Sequence, residues 1–192
     1  MPKSLKTVLL GSKNAGKSSF LHKTCYNQSV ASAGTGIPQP YCELNVENAY
    51  RIQMWDIPLI STSEDPTSEF DLRNFPENLL KNMDVAIILF NSAANDWQRH
   101  ILKWKVLAEK ASTILVVGTH LDILMETTDE TQMERTFGKF CRQNSLFYVG
   151  CCCLEGENSG NGLNTVMNVI LEIIKEKYPS GKPVSSEICV CM

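Results

Sequence analysis

Apolar residues fall into two patterns along the chain, and the two alternate. The runs "KTVLLG", "DVAIILFN", "STILVVGT" and "SLFYVG" have strand length, and each is followed by polar loop residues and a stretch of helical spacing. "YCELNV" and "AYRIQMWDI" alternate with period two, through Cys42, Leu44 and Val46 and through Tyr50, Ile52 and Met54. With a turn at Glu47 and Asn48 between them, they predict a hairpin. Strands separated by helical segments predict an α/β sheet, here six strands with five of them parallel. On the helical stretches, Trp97, Ile101, Trp104 and Leu107 share one face, and Met133, Phe137, Phe140 and Cys141 share another. A last stripe runs through Leu163, Val166, Met167, Ile170, Ile173 and Ile174. These aromatic and sulfur-containing side chains read as core packed on the sheet. The polar stretch from Ser61 to Asn78, broken by two prolines, predicts a long loop. After Tyr178 the chain loses periodicity and predicts an unpacked tail, residues 179–192, behind a domain of residues 1–178.

Composition changes this picture mainly by exclusion. With 43% apolar residues in 192, the chain can bury one full core, which fits one domain. Eighteen Lys and Arg against 21 Asp and Glu give a net charge of −3 and no strongly basic stretch, which argues against nucleic-acid binding. Eight cysteines without CxxC pairs fit free thiols in a reducing compartment better than a disulfide framework or a zinc site. No apolar run is long enough to cross a bilayer, and Pro2 after Met1 rules out N-myristoylation.

Chemistry enters with "GSKNAGKS", residues 11–18, which matches G-x-x-x-x-G-K-[ST] without a mismatch at Gly11, Gly16, Lys17 and Ser18. It follows a predicted strand and opens a helical segment, the context a phosphate loop requires. The backbone N–H groups of Asn14, Ala15, Gly16, Lys17 and Ser18 would face a β-phosphate, with Lys13 and Ser19 beside them in the binding site. Lys17 would bridge β- and γ-phosphates, and the Ser18 hydroxyl would bind Mg²⁺. Asp56, ending "IQMWD", is placed to hold the same ion through water.

Strand, phosphate loop, helix, hairpin and "WD" together resemble the small GTPases of the Ras superfamily, and the "IQMWD" strand is most similar to the Rab branch. The resemblance spans Leu5 to Tyr178. It implies the G-domain form of the P-loop NTPase fold: a six-stranded, mostly parallel sheet with helices on both faces and GTP or GDP at the strand ends. It also implies base contacts at an Asn-Lys-x-Asp stretch, represented here by Thr119, His120, Leu121 and Asp122. Only the Asp is kept. A carboxylate accepts from guanine N1–H and the 2-amino group together, a donor pair adenine lacks. The alternative role for Asp122 is capping the next helix. The family's last base-contacting loop corresponds to Cys152, Cys153 and Leu154, just before "GEN".

Other positions depart from the family. Thr35 corresponds to the Mg²⁺-binding Thr of the first switch, one residue short of the usual spacing from Lys17. In the second switch, Leu59 replaces the Gly and Ile60 replaces the Gln that orients water. Lys13 stands beside the γ-phosphate where the family carries a small residue, in the way of an arginine finger. At the other end, Cys189 in "CVCM" forms a C-a-a-X box, and Cys191 offers a second prenylation site. The expectation is a divergent Rab-like GTPase on the cytosolic face of a membrane, recognised by effector and exchange proteins through its switches. The alternative is a binding module that kept the fold and does not cycle nucleotide. An ATP-using kinase would need an Arg-rich lid, which the sequence does not show.

Overall fold

The computed structural model describes residues 3–26, 40–46, 50–56, 80–125, 130–151 and 161–178. β1 (Lys3–Leu10) leads through the glycine loop into α1 (Lys17–Tyr26), and β2 (Tyr41–Val46) and β3 (Tyr50–Asp56) pair antiparallel. β4 (Val85–Asn91), α2 (Trp97–Ala108), β5 (Thr113–Thr119) and the short α3 (Leu121–Met125) follow. Next come α4 (Glu130–Met133), a π-helical turn at Glu134–Gly138, α5 (Lys139–Gln143), β6 (Phe147–Gly150) and α6 (Asn161–Lys177).

The sheet has six strands in the order β2-β3-β1-β4-β5-β6, and all neighbours except β2 and β3 are parallel. This is the predicted architecture. β4 is buried from Val85 to Phe90 because both faces of the sheet are covered, which is why its sequence is continuously apolar. α1 and α6 cover one face, where Phe20, Leu21, Val166, Ile170 and Ile174 pack on Leu5, Leu9 and Ile52. α2 and the π-helical segment cover the other, where Ile101, Trp104, Phe137 and Cys141 meet Val8, Ile88 and Phe90. The stripes read as core are core: Met133, Phe137 and Cys141 are buried, and Trp97 and Phe140 pack against them. The buried positions 133, 137 and 141 recur every four residues, wider than an α-helical 3.6, and the i→i+5 turn at Glu134–Gly138 accommodates that spacing.

At the amino end of β1, Asp84 ties the sheet to α6. Its Oδ2 accepts from the Lys6 N–H at 2.8 Å, and Lys177 pairs with its Oδ1. The Asp84 carboxylate raises the Lys177 pKa. The Tyr178 hydroxyl donates to the Ser4 carbonyl at 3.4 Å, fixing the end of α6 at this edge. At the opposite edge α6 begins against β6. A Cβ added to Gly162 would stand 1.8 Å from the Gly150 carbonyl oxygen, so no side chain fits there without a backbone shift.

One expectation is corrected. Cys25 near the end of α1 and Cys42 in β2 form a disulfide, with Cα atoms 6.4 Å apart, where the sequence pointed to free thiols. Cysteine spacing along the chain carries no trace of this pairing. It arises because packing α1 on the β2 edge of the sheet brings two residues 17 apart in sequence together. Cys141 and Cys151 are buried. Among the described residues no helix is long and apolar enough to cross a membrane. The turn at Glu47 and Asn48, the segment 61–78 and the tail from residue 179 lie outside the described residues.

Candidate functional site at the glycine loop

β1, central in the sheet, delivers Gly11 onto the backbone of β4. A Cβ at Gly11 would lie 2.4 Å from the Leu89 carbonyl oxygen, so this position admits only glycine. Asn14 at φ 61° and Gly16 at φ 81° are both left-handed. Asn tolerates that conformation, and glycine adopts it without a Cβ penalty. These bends wrap the loop, and the Ala15 N–H donates to the Ser12 carbonyl at 3.2 Å. α1 then starts at Lys17, with its first-turn N–H groups unpaired within the helix and its positive dipole end at the loop.

Lys17 is 9% exposed, and its Nζ donates to the Gly11 and Ser12 carbonyls at 3.0 and 3.1 Å. Burial lowers its pKa, and the nearby Asp56 carboxylate partly offsets that. The ammonium is thus held inside the loop by backbone carbonyls. From the next residue, the Ser18 hydroxyl donates to Asp56 Oδ2 at 2.6 Å. Asp56 ends β3, and its own N–H donates to the Pro40 carbonyl at 2.8 Å. Its second oxygen, Oδ1, is buried without a hydrogen-bond partner among the described residues. A buried carboxylate oxygen left unpaired is costly, and a cation beside it removes that cost.

Ser18 and Asp56 therefore fit Mg²⁺, which takes hard oxygen ligands and usually keeps water and phosphate in most of its coordination positions. Among the described residues no group of three or more His, Cys, Asp or Glu gathers as an all-protein metal cage. Lys13 and Asn14 are exposed at the loop's outer rim, while Ala15 is buried and Ser19 half-buried.

Thr119 ends β5 beside this loop, 3% exposed. Its Oγ1 lies 3.1 Å from the Ala15 carbonyl, 2.9 Å from the Phe90 carbonyl and 2.8 Å from His120 Nδ1. The one hydroxyl proton can be shared between the two carbonyls, with the ring nitrogen donating to the hydroxyl in the Nδ1–H tautomer of His120. The Thr119 methyl also packs on Gly16, where a Cβ would meet it at 3.2 Å. Thr119 thus braces the loop to β4. His120 takes a left-handed φ of 58° and Asp122 stands in the first turn of α3, both half-buried.

Two contacts at the site were missed by sequence reasoning. The Trp104 indole N–H donates to Ser12 Oγ at 3.2 Å, joining α2 to the glycine loop. Trp104 was read as core alone, although a buried indole N–H needs an acceptor. Ser92, buried at the end of β4, donates its N–H to the Thr119 carbonyl at 3.0 Å. The structure thus gathers Gly11 to Ser19, Asp56 and Thr119. Thr35, Leu59, Ile60, Cys152, Cys153 and Leu154 lie outside the described residues, although Cys151, just before the last three, donates its N–H to Gly118 of β5 at 2.8 Å.

No protein-family model matches the sequence. A probable Rab-related GTPase of Acanthamoeba polyphaga mimivirus is 20% identical over 176 residues, which cover 88% of this chain and 77% of that protein. The similarity is distant, runs along most of both chains, and supports a Ras-superfamily-like relationship in keeping with the sheet order.

If Thr119 braces the loop, Thr119→Val, which keeps the shape and removes the hydroxyl, leaves buried carbonyls short of a donor. We expect a stability loss of about 1–3 kcal/mol and faster hydrogen exchange at the amides of residues 14–18. Unchanged exchange there would mean that the hydroxyl does not hold the loop.

Proposed function

We propose that the chain is a divergent Rab-like small GTPase that binds GDP or GTP with Mg²⁺, hydrolyses GTP slowly at most, and acts as a membrane-associated switch. The observation that carries this reading is the joining of Lys17, Ser18 and Asp56 at the ends of β1 and β3, with Asp56 Oδ1 unpaired among the described residues. Lys17 supplies a positive charge for phosphate and the α1 amides supply donors. The Ser18 and Asp56 oxygens supply two hard ligands for the ion. The distant resemblance to a protein named a probable Rab-related GTPase supports guanine nucleotide as the ligand, and Asp122 is the residue that would select it.

Titration calorimetry with GDP and ADP tests the core of this reading. GDP should bind more tightly than ADP. Lys17→Ala should cost about 100-fold or more in affinity, and Asp122→Ala should weaken GDP by a similar factor while leaving ADP unchanged. Equal affinity for the two nucleotides would end the guanine assignment.

The same titrations carry a pH signature. Burial makes the Lys17 amine more acidic than usual in the free protein, and bound phosphate would raise its pKa again. Affinity should therefore hold steady below the lowered free-state pKa and fall as pH rises through it, with proton uptake on binding in that range. Lys17→Ala should abolish this slope.

Hydrolysis should be at or below roughly 10⁻⁴ per second in single-turnover assays, the slow intrinsic rate of such proteins, because aliphatic Ile60 offers no group to orient water. A much faster rate would show that another residue supplies that role. The second reading, a module that does not cycle nucleotide, is favoured by Leu59 and Ile60 and by the engagement of Thr119 with the loop. Absence of heat with either nucleotide would select it.

Membrane attachment rests on the tail cysteines, Cys189 and Cys191. One prenyl chain gives reversible binding and two give stable anchoring, at about 0.8 kcal/mol per buried CH₂. Mass spectrometry of the protein from its own host should find the terminal peptide modified at Cys189. An unmodified peptide ending in Met192 would remove the membrane from this reading.

A further inference from the structure

Cys25 and Cys42 are paired at a mechanically sensitive place. Cys25 lies near the end of α1, the helix whose first turn holds Lys17 and Ser18. Cys42 lies in β2, two residues after Pro40, whose carbonyl accepts the Asp56 N–H. The Ser18 hydroxyl donates to that same Asp56. The disulfide therefore closes a ring that runs through α1, Ser18, Asp56, Pro40 and β2.

Both sulfurs belong to the apolar core on the α1 and α6 face, at 8% and 5% exposure. Reduction would leave two small, weakly polar thiols in apolar surroundings, which a core accommodates without unpaired polar groups. The fold is thus compatible with both redox states, while the connection from α1 to β2 differs between them.

We propose that Cys25 and Cys42 form a reversible thiol–disulfide site that ties α1 to β2 and stiffens the Ser18–Asp56 pair. Its effect on nucleotide release rests on the function proposed above; the cross-link itself does not. With hydrogen peroxide as oxidant, one sulfur attacks the O–O bond, becoming a sulfenic acid and releasing water. The second sulfur then attacks the sulfenic sulfur, its S–O bond breaks as the S–S bond forms, and a second water leaves. Two thiols give up two electrons and two protons, and one peroxide becomes two waters.

The test uses the full chain, reduced with a phosphine or oxidised with hydrogen peroxide. Peptide mapping without reductant should show Cys25 linked to Cys42 in the oxidised sample only. Cross-linking residues 17 apart in sequence should raise Tm by roughly 6–12 °C over the reduced wild type, which serves as the folding control. Release of a fluorescent GDP analogue should slow about threefold or more. Cys25→Ser and Cys42→Ser should each lose the redox response of both readouts.

Absence of the linked peptide, or a linked protein that melts and releases GDP as the reduced one does, would overturn the proposal. A linked protein with raised Tm that binds no nucleotide would support the thiol–disulfide site while removing the function proposed above. The two failures are therefore separable.

Discussion

The organisation of this protein depends on how closely the loop after β1 passes the backbone of β4. With the Gly11 Cβ position 2.4 Å from the Leu89 carbonyl oxygen, the chain is committed to a path that no other residue permits. The left-handed turns at Asn14 and Gly16 follow, and they leave the Gly11 and Ser12 carbonyls pointing inward. Those carbonyls hold a buried ammonium against its desolvation cost. The fold keeps a charge in an apolar neighbourhood because the loop geometry supplies acceptors for it. Stability alone gives little reason for such an arrangement, and a negatively charged ligand gives a good one.

Three elements that do not bind the loop through sequence proximity nevertheless fix it. Thr119 reaches it from β5, Trp104 from α2 and Asp56 from β3. Each comes from a different part of the sheet or its cover, so the loop's shape reports on the integrity of both cores. Loosening either packing face would be felt at Lys17.

The strands were legible in the sequence because strands buried on both faces are continuously apolar and those of a hairpin alternate, as in β4 against β2 and β3. The glycine loop was legible because its backbone demands glycine at fixed offsets. The bracing by Thr119 was not, since the reach of a hydroxyl depends on where the loop carbonyls point, and that is a tertiary fact. Nor was the pairing of Cys25 with Cys42, which no local spacing encodes. The π-helical turn at Glu134–Gly138 was foreshadowed by buried positions four apart, but a stripe of that kind fits an ordinary helix nearly as well. Asp122 was singled out only through a resemblance, and its place in the first turn of α3 also suits a helix start.

The anchoring of Tyr178 has a consequence for orientation. Its hydroxyl meets Ser4 and its ring lies beside Lys3, at the amino end of β1, whereas the glycine loop leaves the carboxyl end of the same strand. β1 is eight residues long, so its two ends stand roughly 23 Å apart at 3.3 Å per residue. The last described residue thus departs from the pole of the molecule opposite the loop. A tether drawn from that pole would act as a stalk, leaving the loop and the residues around it turned outward toward whatever approaches from solution.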